Sequence, residues 1–436
     1  MSTHTINVFD SAVQVGTVDF ESLDERFSFQ YSEQWRRAEA AYSISPHIPI
    51  DGVAPASGTV RRFLENLLPE GRALDIVAST YQIARNNLYG LIRELGQETS
   101  GALAFFAAES APAVQTTRRE IRLEELKQRI DERQRVPFAV WDGRVRMSIA
   151  GYQDKLPVYL DPDNRMYLVE GDLASTHILK PEPAEKRLSL LVANEHFSMS
   201  LARRLGLAVA PVSILRVPDA ILVVERFDRV RDAERVRRLH IIDACQALDL
   251  PVAYKYERNF GSGRDVRNIR DGVSFGRLFS IAQYTVEKAV TRLGLLRWAL
   301  FQYLIGNADA HGKNMSFFCK PAGLALAPCY DLISVVQYEG LDHELAMAYG
   351  DEFRLGQIRP YDWAVFAVRT NIPRALLVRE MVRMGKGAAE AAARQAKDSL
   401  YVEQERPLVA QIAEFVRRQA TSMVEMAPAV ARVDLE

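Results

Sequence analysis

Apolar residues recur along this chain with two different periods, and the change from one to the other divides it into pieces. Near the start, short runs at 6–8, 13–20 and 27–31 predict strands, since strand side chains point alternately to opposite faces. From about residue 59 the period lengthens, and Phe63, Leu64, Leu67 and Leu68 fall on one face of a helix. Residues 116–135 are dense in charge of both signs, the pattern of a solvated linker helix with i,i+4 pairs. Strand-like runs return at 138–145, 156–160 and 175–180. Two more, at 212–217 and 220–225, are joined by the turn residues Pro218 and Asp219. Between them Phe197, Leu201 and Leu205 mark an amphipathic helix packed on a sheet. Residues 255–272 are polar and contain glycine without an apolar period, so a flexible loop over a site or at a protein contact is expected. Beyond it the pattern is helical, with Leu293, Leu296, Leu300 and Leu304 on the buried side. The expected organisation is an α+β subdomain over 1–110, a charged linker over 111–135, a sheet-rich lobe over 136–240 and a helical lobe over 241–436.

Candidate chemistry starts where the long helix ends. In Gly306-Asn307-Ala308-Asp309-Ala310-His311-Gly312-Lys313-Asn314-Met315, an Asp and an Asn stand five apart. A kinase catalytic loop has that spacing: the Asp orients and deprotonates the acceptor hydroxyl, and the Asn binds a magnesium ion. A second metal carboxylate should follow a short hairpin, and Asp331 does so after residues 324–330. The spacing alone also fits an ordinary turn. Upstream residues reverse that balance, because a phosphate loop, a strand lysine and a hinge are all present in the order a kinase needs. The loop is 146–155, between two apolar-rich pieces; its one glycine is Gly151, so the grip on phosphate would come from backbone amides and the Lys155 cation. A plain hairpin with a solvated lysine is the competing reading. Lys180 ends a short apolar strand before Pro181. Glu195, near the start of the following helix, fits an ion pair with Lys180 and equally a solvated first-turn glutamate. At 225–227, Glu225 and Phe227 would place backbone groups against an adenine edge, or else close a hairpin around a core Phe.

With these motifs in place the chain resembles the HipA family, the serine/threonine kinase toxins of bacterial HipBA toxin-antitoxin modules. The resemblance rests on residues 148–155, 176–180, 194–196, 202–207, 224–229, 245–248, Lys255-Tyr256-Glu257, 304–314 and 330–332, and in front on 15–17, 63–70 and 99–102. Departures are small: the loop reads Asp-Ala-His-Gly-Lys-Asn where Asp-Gly-His-Ala-Lys-Asn is commoner, and Tyr152 stands where a small residue is usual. The resemblance implies an α+β, protein-kinase-like (PI3/4-kinase-like) two-lobed fold with an extra N-terminal subdomain. It implies Asp309 as catalytic base, with Asn314 and Asp331 on magnesium. It places Ala150, Gly151, Tyr152, Gln153, Asp154 and Lys155 in the phosphate loop, and Glu225, Arg226 and Phe227 at the adenine hinge. Lys180, His311, Lys313 and Tyr330 complete the ATP contacts. Ser148 matches the serine that these kinases autophosphorylate to silence themselves. ATP and Mg2+ are the implied cofactors. The implied partners are a HipB-like helix-turn-helix antitoxin and a protein substrate such as an aminoacyl-tRNA synthetase. The alternative is a catalytically inactive corepressor that bridges antitoxin and operator DNA.

Composition narrows the setting. The 436 residues suffice for two or three cores, and a net charge of −1 argues against a general polyanion binder. Cys245, Cys319 and Cys329 are too few and scattered for a disulfide framework or a zinc site. No leader-like segment opens the sequence and no apolar run is long enough to span a membrane, so a cytoplasmic protein is expected. Residues 354–397 carry nine Lys or Arg against three Asp or Glu, a solvated helical surface or a face for weak or indirect DNA contact within an antitoxin complex.

Overall fold

The computed structural model describes residues 3–110, 116–146, 153–171, 173–232 and 235–435. The chain forms two compact units. One comprises Met1–Pro181, Leu215–Val252 and Phe317–Ala325; the other comprises Glu182–Ile214, Ala253–Ser316 and Leu326–Glu436.

In the first unit the three expected strands form at Thr3–Asp10, Val13–Glu21 and Arg26–Tyr31. They pair antiparallel, and Leu103–Ala107 joins on the far side of the first strand. Alternation sets the buried face: Ile6, Val8, Val18, Phe27 and Phe29 point inward, while Val15 is buried at a register shift between the first two strands. The helix expected from residue 59 is Ser57–Glu65. It buries Phe63 and Leu64 as expected, but Leu67 and Leu68 are buried in the turns beyond its end rather than on its face.

A six-stranded sheet carries the rest of this unit, in the order Val212–Val217, Asp219–Glu225, His177–Pro181, Leu156–Leu160, Met166–Glu170 and Thr117–Ile121. One of its faces is a single core containing Leu156, Val158, Leu179, Ile221 and Val223. Residues 116–135 do carry an i,i+4 pair, Lys127 with Asp131 at 2.8 Å, but they are more than a linker. Thr117–Ile121 pairs with Met166–Glu170, and the helix Leu123–Asp131 sets Leu126 and Ile130 into the same core. Charged residues such as Arg118 and Glu120 are what an edge strand carries to block further pairing, and they hide the strand from a reading by hydrophobicity.

The second unit is mostly helical. Leu191–Arg204 replaces the amphipathic helix expected near 193–205: it is buried almost all round, including Asn194, Glu195 and Ser198, because Arg374–Gln395 and Arg406–Arg432 both pack on it. Glu195 is 0% exposed, which removes the solvated reading of that carboxylate. The helix Lys288–Ile305 buries Leu296, Leu300 and Leu304, whereas Leu293 is only half-buried and Leu295 takes the inner position. It ends at Gly306, with φ of 64°. A Cβ there would lie 2.6 Å from Val336 Cγ2, so both conformation and space call for glycine at the residue that turns the chain into the loop of residues 307–315.

Candidate active site

The loop after Gly306 is held by its own polar groups. The Asn307 side-chain oxygen accepts from the Asp309 amide (3.1 Å), while its Nδ2 donates to the buried Gln302 Oε1 (2.9 Å). The Asp309 carbonyl accepts twice, from the His311 amide at 2.9 Å and from Asn314 Nδ2 at 2.9 Å. The five-residue spacing therefore closes on itself. Asp309 is exposed, whereas His311, Gly312 and Lys313 behind it are buried. Burial, reinforced by Lys255 and Lys313, pushes the His311 imidazole down to about 3, so it is neutral at ordinary pH.

The hairpin of Ser316–Lys320 and Gly323–Leu326 leads the chain to Tyr330 and Asp331. The Tyr330 hydroxyl donates to the Lys313 carbonyl (2.8 Å) and shares a 2.7 Å hydrogen bond with Ser316 Oγ, so it braces the loop after Gly306. Asp331 follows with φ of 52°, a left-handed conformation that non-glycine residues rarely adopt and that clusters at functional sites.

Lys255-Tyr256-Glu257, expected in a flexible loop over a site or at a protein contact, meet the loop after Gly306. The Tyr256 hydroxyl donates to Asp309 Oδ1 at 2.5 Å, and its ring meets His311 edge-on, 5.1 Å between centroids. Far from lacking anchors, the polar segment 255–272 buries Glu257, which accepts from Arg270 and from the Ala348 amide (2.8 Å).

In the first unit, Lys180 lies on His177–Pro181 opposite Leu222, and Leu179 lies opposite Leu156. Lys155 directly precedes the strand Leu156–Leu160, and Lys180, next to Leu179, points to the side of the sheet away from the Leu156 and Leu179 core. They are 4% and 6% exposed. Asp154 beside them has its carboxyl pushed up by burial, and Gln153 Nε2 is buried with no hydrogen-bond partner. Ser148, Ala150, Gly151 and Tyr152 lie outside the described residues.

The hinge candidates separate. Glu225 is exposed at the strand end, and Phe227 is half-buried with its ring edge-on to Phe318. Arg226 is otherwise engaged. Its amide donates to the Thr176 carbonyl (2.9 Å), and its buried guanidinium donates to Asp228 and to Ser175 Oγ. Burial alone would raise the Asp228 carboxyl; Arg226 and Arg229 instead hold it well below the usual range. Arg226 is thus part of a buried ion cluster and offers neither its side chain nor its amide to a nucleotide.

Residues 6–106 match the model of the HipA N-terminal domain, and residues 147–398 match that of the HipA-like C-terminal domain. A serine/threonine-protein kinase toxin HipA from Shewanella oneidensis is 41% identical over 394 residues, 90% of this chain and 89% of that one. The candidate kinase Y4mE of Sinorhizobium fredii is 32% identical over 416 residues, covering 93% and 96% of the two chains. Among solved structures, the Shewanella oneidensis complex of HipA, HipB and operator DNA matches with a TM-score of 0.90 and 38% identity, over 99% of this chain and 100% of that one. The Shewanella kinase, by its identity and coverage, defines the class as serine/threonine-protein kinases. Within that class the chain belongs to the HipA family.

Proposed function

We propose that this chain is the kinase toxin of a toxin-antitoxin pair, transferring the terminal phosphoryl group of ATP to a serine or threonine of a protein. The observation that carries the reading is the Asp309–Asn314 loop closed by the Asn314 side chain on the Asp309 carbonyl. The residues suit Mg-ATP. Asn314 commits its amide nitrogen to Asp309, so its Oδ1 is the atom for a cation, and Asp331 adds a carboxylate. The buried Lys180 on its strand and the buried Lys155 just ahead of Leu156–Leu160 are the cations proposed for the phosphate groups. When bound, Mg-ATP supplies the phosphoryl group and the metal charge that neutralises its oxygens.

The chain's own residues do the rest. Asp309 orients the acceptor hydroxyl and takes its proton, a role typically worth a factor of about 10²–10⁴. Lys155 and Lys180 hold phosphate oxygens, Lys313 adds a cation, and neutral His311 is a hydrogen-bonding group rather than a charge. Backbone groups of Glu225 and Phe227 hold the adenine edge. In this reading the fold is that of the PI3/4-kinase-like enzymes.

The partner is a HipB-like antitoxin, as in the Shewanella assembly. On the helix Arg374–Gln395 the exposed Arg379, Arg383 and Lys386 make a basic stripe suited to DNA phosphates near a bound repressor, although Arg383 also pairs with the buried Glu380 at 2.8 Å. A purely corepressive subunit has no use for the closed loop and its carboxylates, which favours catalysis. The substrate class proposed is a translation component such as an aminoacyl-tRNA synthetase. Incubating a bacterial proteome with the protein, ATP and Mg2+, followed by phosphopeptide mass spectrometry, tests the reading. New phosphoserine or phosphothreonine that disappears with Asp309→Asn is the expected result; none above background overturns it. Among the described residues no helix is long and apolar enough to cross a membrane.

A further inference from the structure

We infer that Tyr256 is a positioning residue for phosphoryl transfer, its hydroxyl fixing the orientation of the Asp309 carboxylate. The inference rests on the reading of Asp309 as the base. A carboxylate that is to receive a proton in one geometry must be kept from rotating about its Cβ–Cγ bond, and an exposed aspartate is not held by packing. Tyr256 supplies the restraint through a short hydrogen bond to Oδ1, 2.5 Å. A charge-assisted O–H···O⁻ contact of that length is among the stronger hydrogen bonds in proteins.

The phenol can act this way because its own position is over-determined. On one side of it, the Lys255 carbonyl accepts from the Gly312 amide of the catalytic loop (2.9 Å). On the other, the Glu257 amide donates to the Ala346 carbonyl (2.9 Å), and the Ala346 amide donates to the Ala308 carbonyl (3.0 Å). The strap 255–257 is therefore laced to both flanks of Asp309 by main-chain bonds. Its ring rests edge-on against His311, with Lys255 Nζ 5.4 Å from the ring centroid. Beneath it the Gly272 backbone packs closely: a Cβ there would lie 1.8 Å from the Tyr256 carbonyl oxygen, and the Gly272 amide donates to the Glu257 carbonyl (3.2 Å). A tyrosine meant to swing away and admit substrate would not be tied on both sides.

Tyr256→Phe is the test, because it keeps the ring and its packing and removes only the donor. Expected are a kcat lowered about tenfold or more, the effect of a base no longer held in its productive geometry, with KM for ATP and Tm unchanged. In an Asp309→Asn background the same substitution should change the residual rate no further, since the phenol acts through that carboxylate. An unchanged kcat, a faster enzyme, or a loss accompanied by higher KM and lower Tm each overturns the inference; a faster enzyme would mean that the phenol competes with the acceptor hydroxyl. Failure of the underlying reading looks different: Asp309→Asn alone would then retain transfer.

Discussion

Asn314 gives its side-chain amide to the main-chain carbonyl of Asp309 at 2.9 Å, so the residue assigned to the cation also locks the residue assigned to the proton. The two are separable by mutation. Asp309→Asn leaves that carbonyl in place, and should keep the fold and most of the ATP affinity while transfer drops by about 10²–10⁴. Asn314→Ala unlocks the loop and removes an oxygen donor, so both nucleotide binding and transfer should fall. Calorimetric ATP titration beside a phosphate-release or peptide-labelling assay distinguishes them; comparable transfer by Asp309→Asn would sink the base assignment.

Asp331 allows charge to be separated from backbone strain. Asparagine tolerates the left-handed conformation at φ 52° better than alanine does. Asp331→Asn should therefore keep Tm near that of the parent while demanding more Mg2+ for half-maximal activity. Asp331→Ala should add a loss of stability of about 1–2 kcal/mol. Magnesium titrations and thermal melts check both; equal magnesium dependence in all three proteins would remove Asp331 from the metal site.

Gly312 sits under Val273, and a Cβ added there would lie 2.6 Å from Val273 Cγ2. Gly312→Ala should cost about 1–3 kcal/mol by overpacking and reduce activity by shifting the loop. Val273→Ala should partly restore both in the double variant, as measured by denaturant unfolding and initial rates.

Ser148, next to the phosphate-loop candidates, is expected to accept phosphate from the protein's own ATP turnover. Phosphoserine adds about −1.5 to −2 charge beside a site meant for the nucleotide's phosphates, so ATP affinity should fall as modification proceeds. Phosphopeptide mapping over time, with Ser148→Ala remaining active throughout, is the expected pattern. An unmodified Ser148 in protein that phosphorylates others would end the self-silencing idea for this chain.

Burial holds the His240 imidazole down to about 4, where it stacks on Tyr42 and bonds the Ile44 carbonyl through Nε2 at 3.0 Å. The unfolded chain, with an ordinary histidine near 6.5, binds that proton sooner than the folded protein does. Stability should therefore fall as pH drops from about 6.5 toward 4, by at most roughly 1.4 kcal/mol per pH unit for this group. Urea unfolding across that window should show a shallower slope in His240→Asn than in the parent protein.

The parts of this protein that could be read from its residues are those where one physical rule acts alone. Strands at Thr3–Asp10 and His177–Pro181 obey alternation, and the Asp309–Asn314 spacing reports a loop that closes through its own side chain. Other parts answer to two rules at once. Leu191–Arg204 shows an apolar stripe in sequence, yet two helices covering it bury its polar side too. Tyr256 was expected in a flexible loop because its segment is fixed by main-chain hydrogen bonds, which any residue type makes. Arg226 looked like a hinge residue by position, and only the buried carboxylate of Asp228 shows where its side chain is spent.

Thr117–Ile121 and the helix after it fall between the two matched family regions, 6–106 and 147–398, so neither boundary includes them. Yet Ile121, Leu126, Ile130, Phe138 and Trp141 from that interval belong to the same core as Leu156, Leu179 and Ile221 under the lysine-bearing sheet. A fragment beginning at residue 147 would thus uncover half a hydrophobic layer and the unpaired rim of Met166–Glu170, a template for fibrous self-association. Any truncation intended to isolate the kinase portion has to start ahead of Thr117.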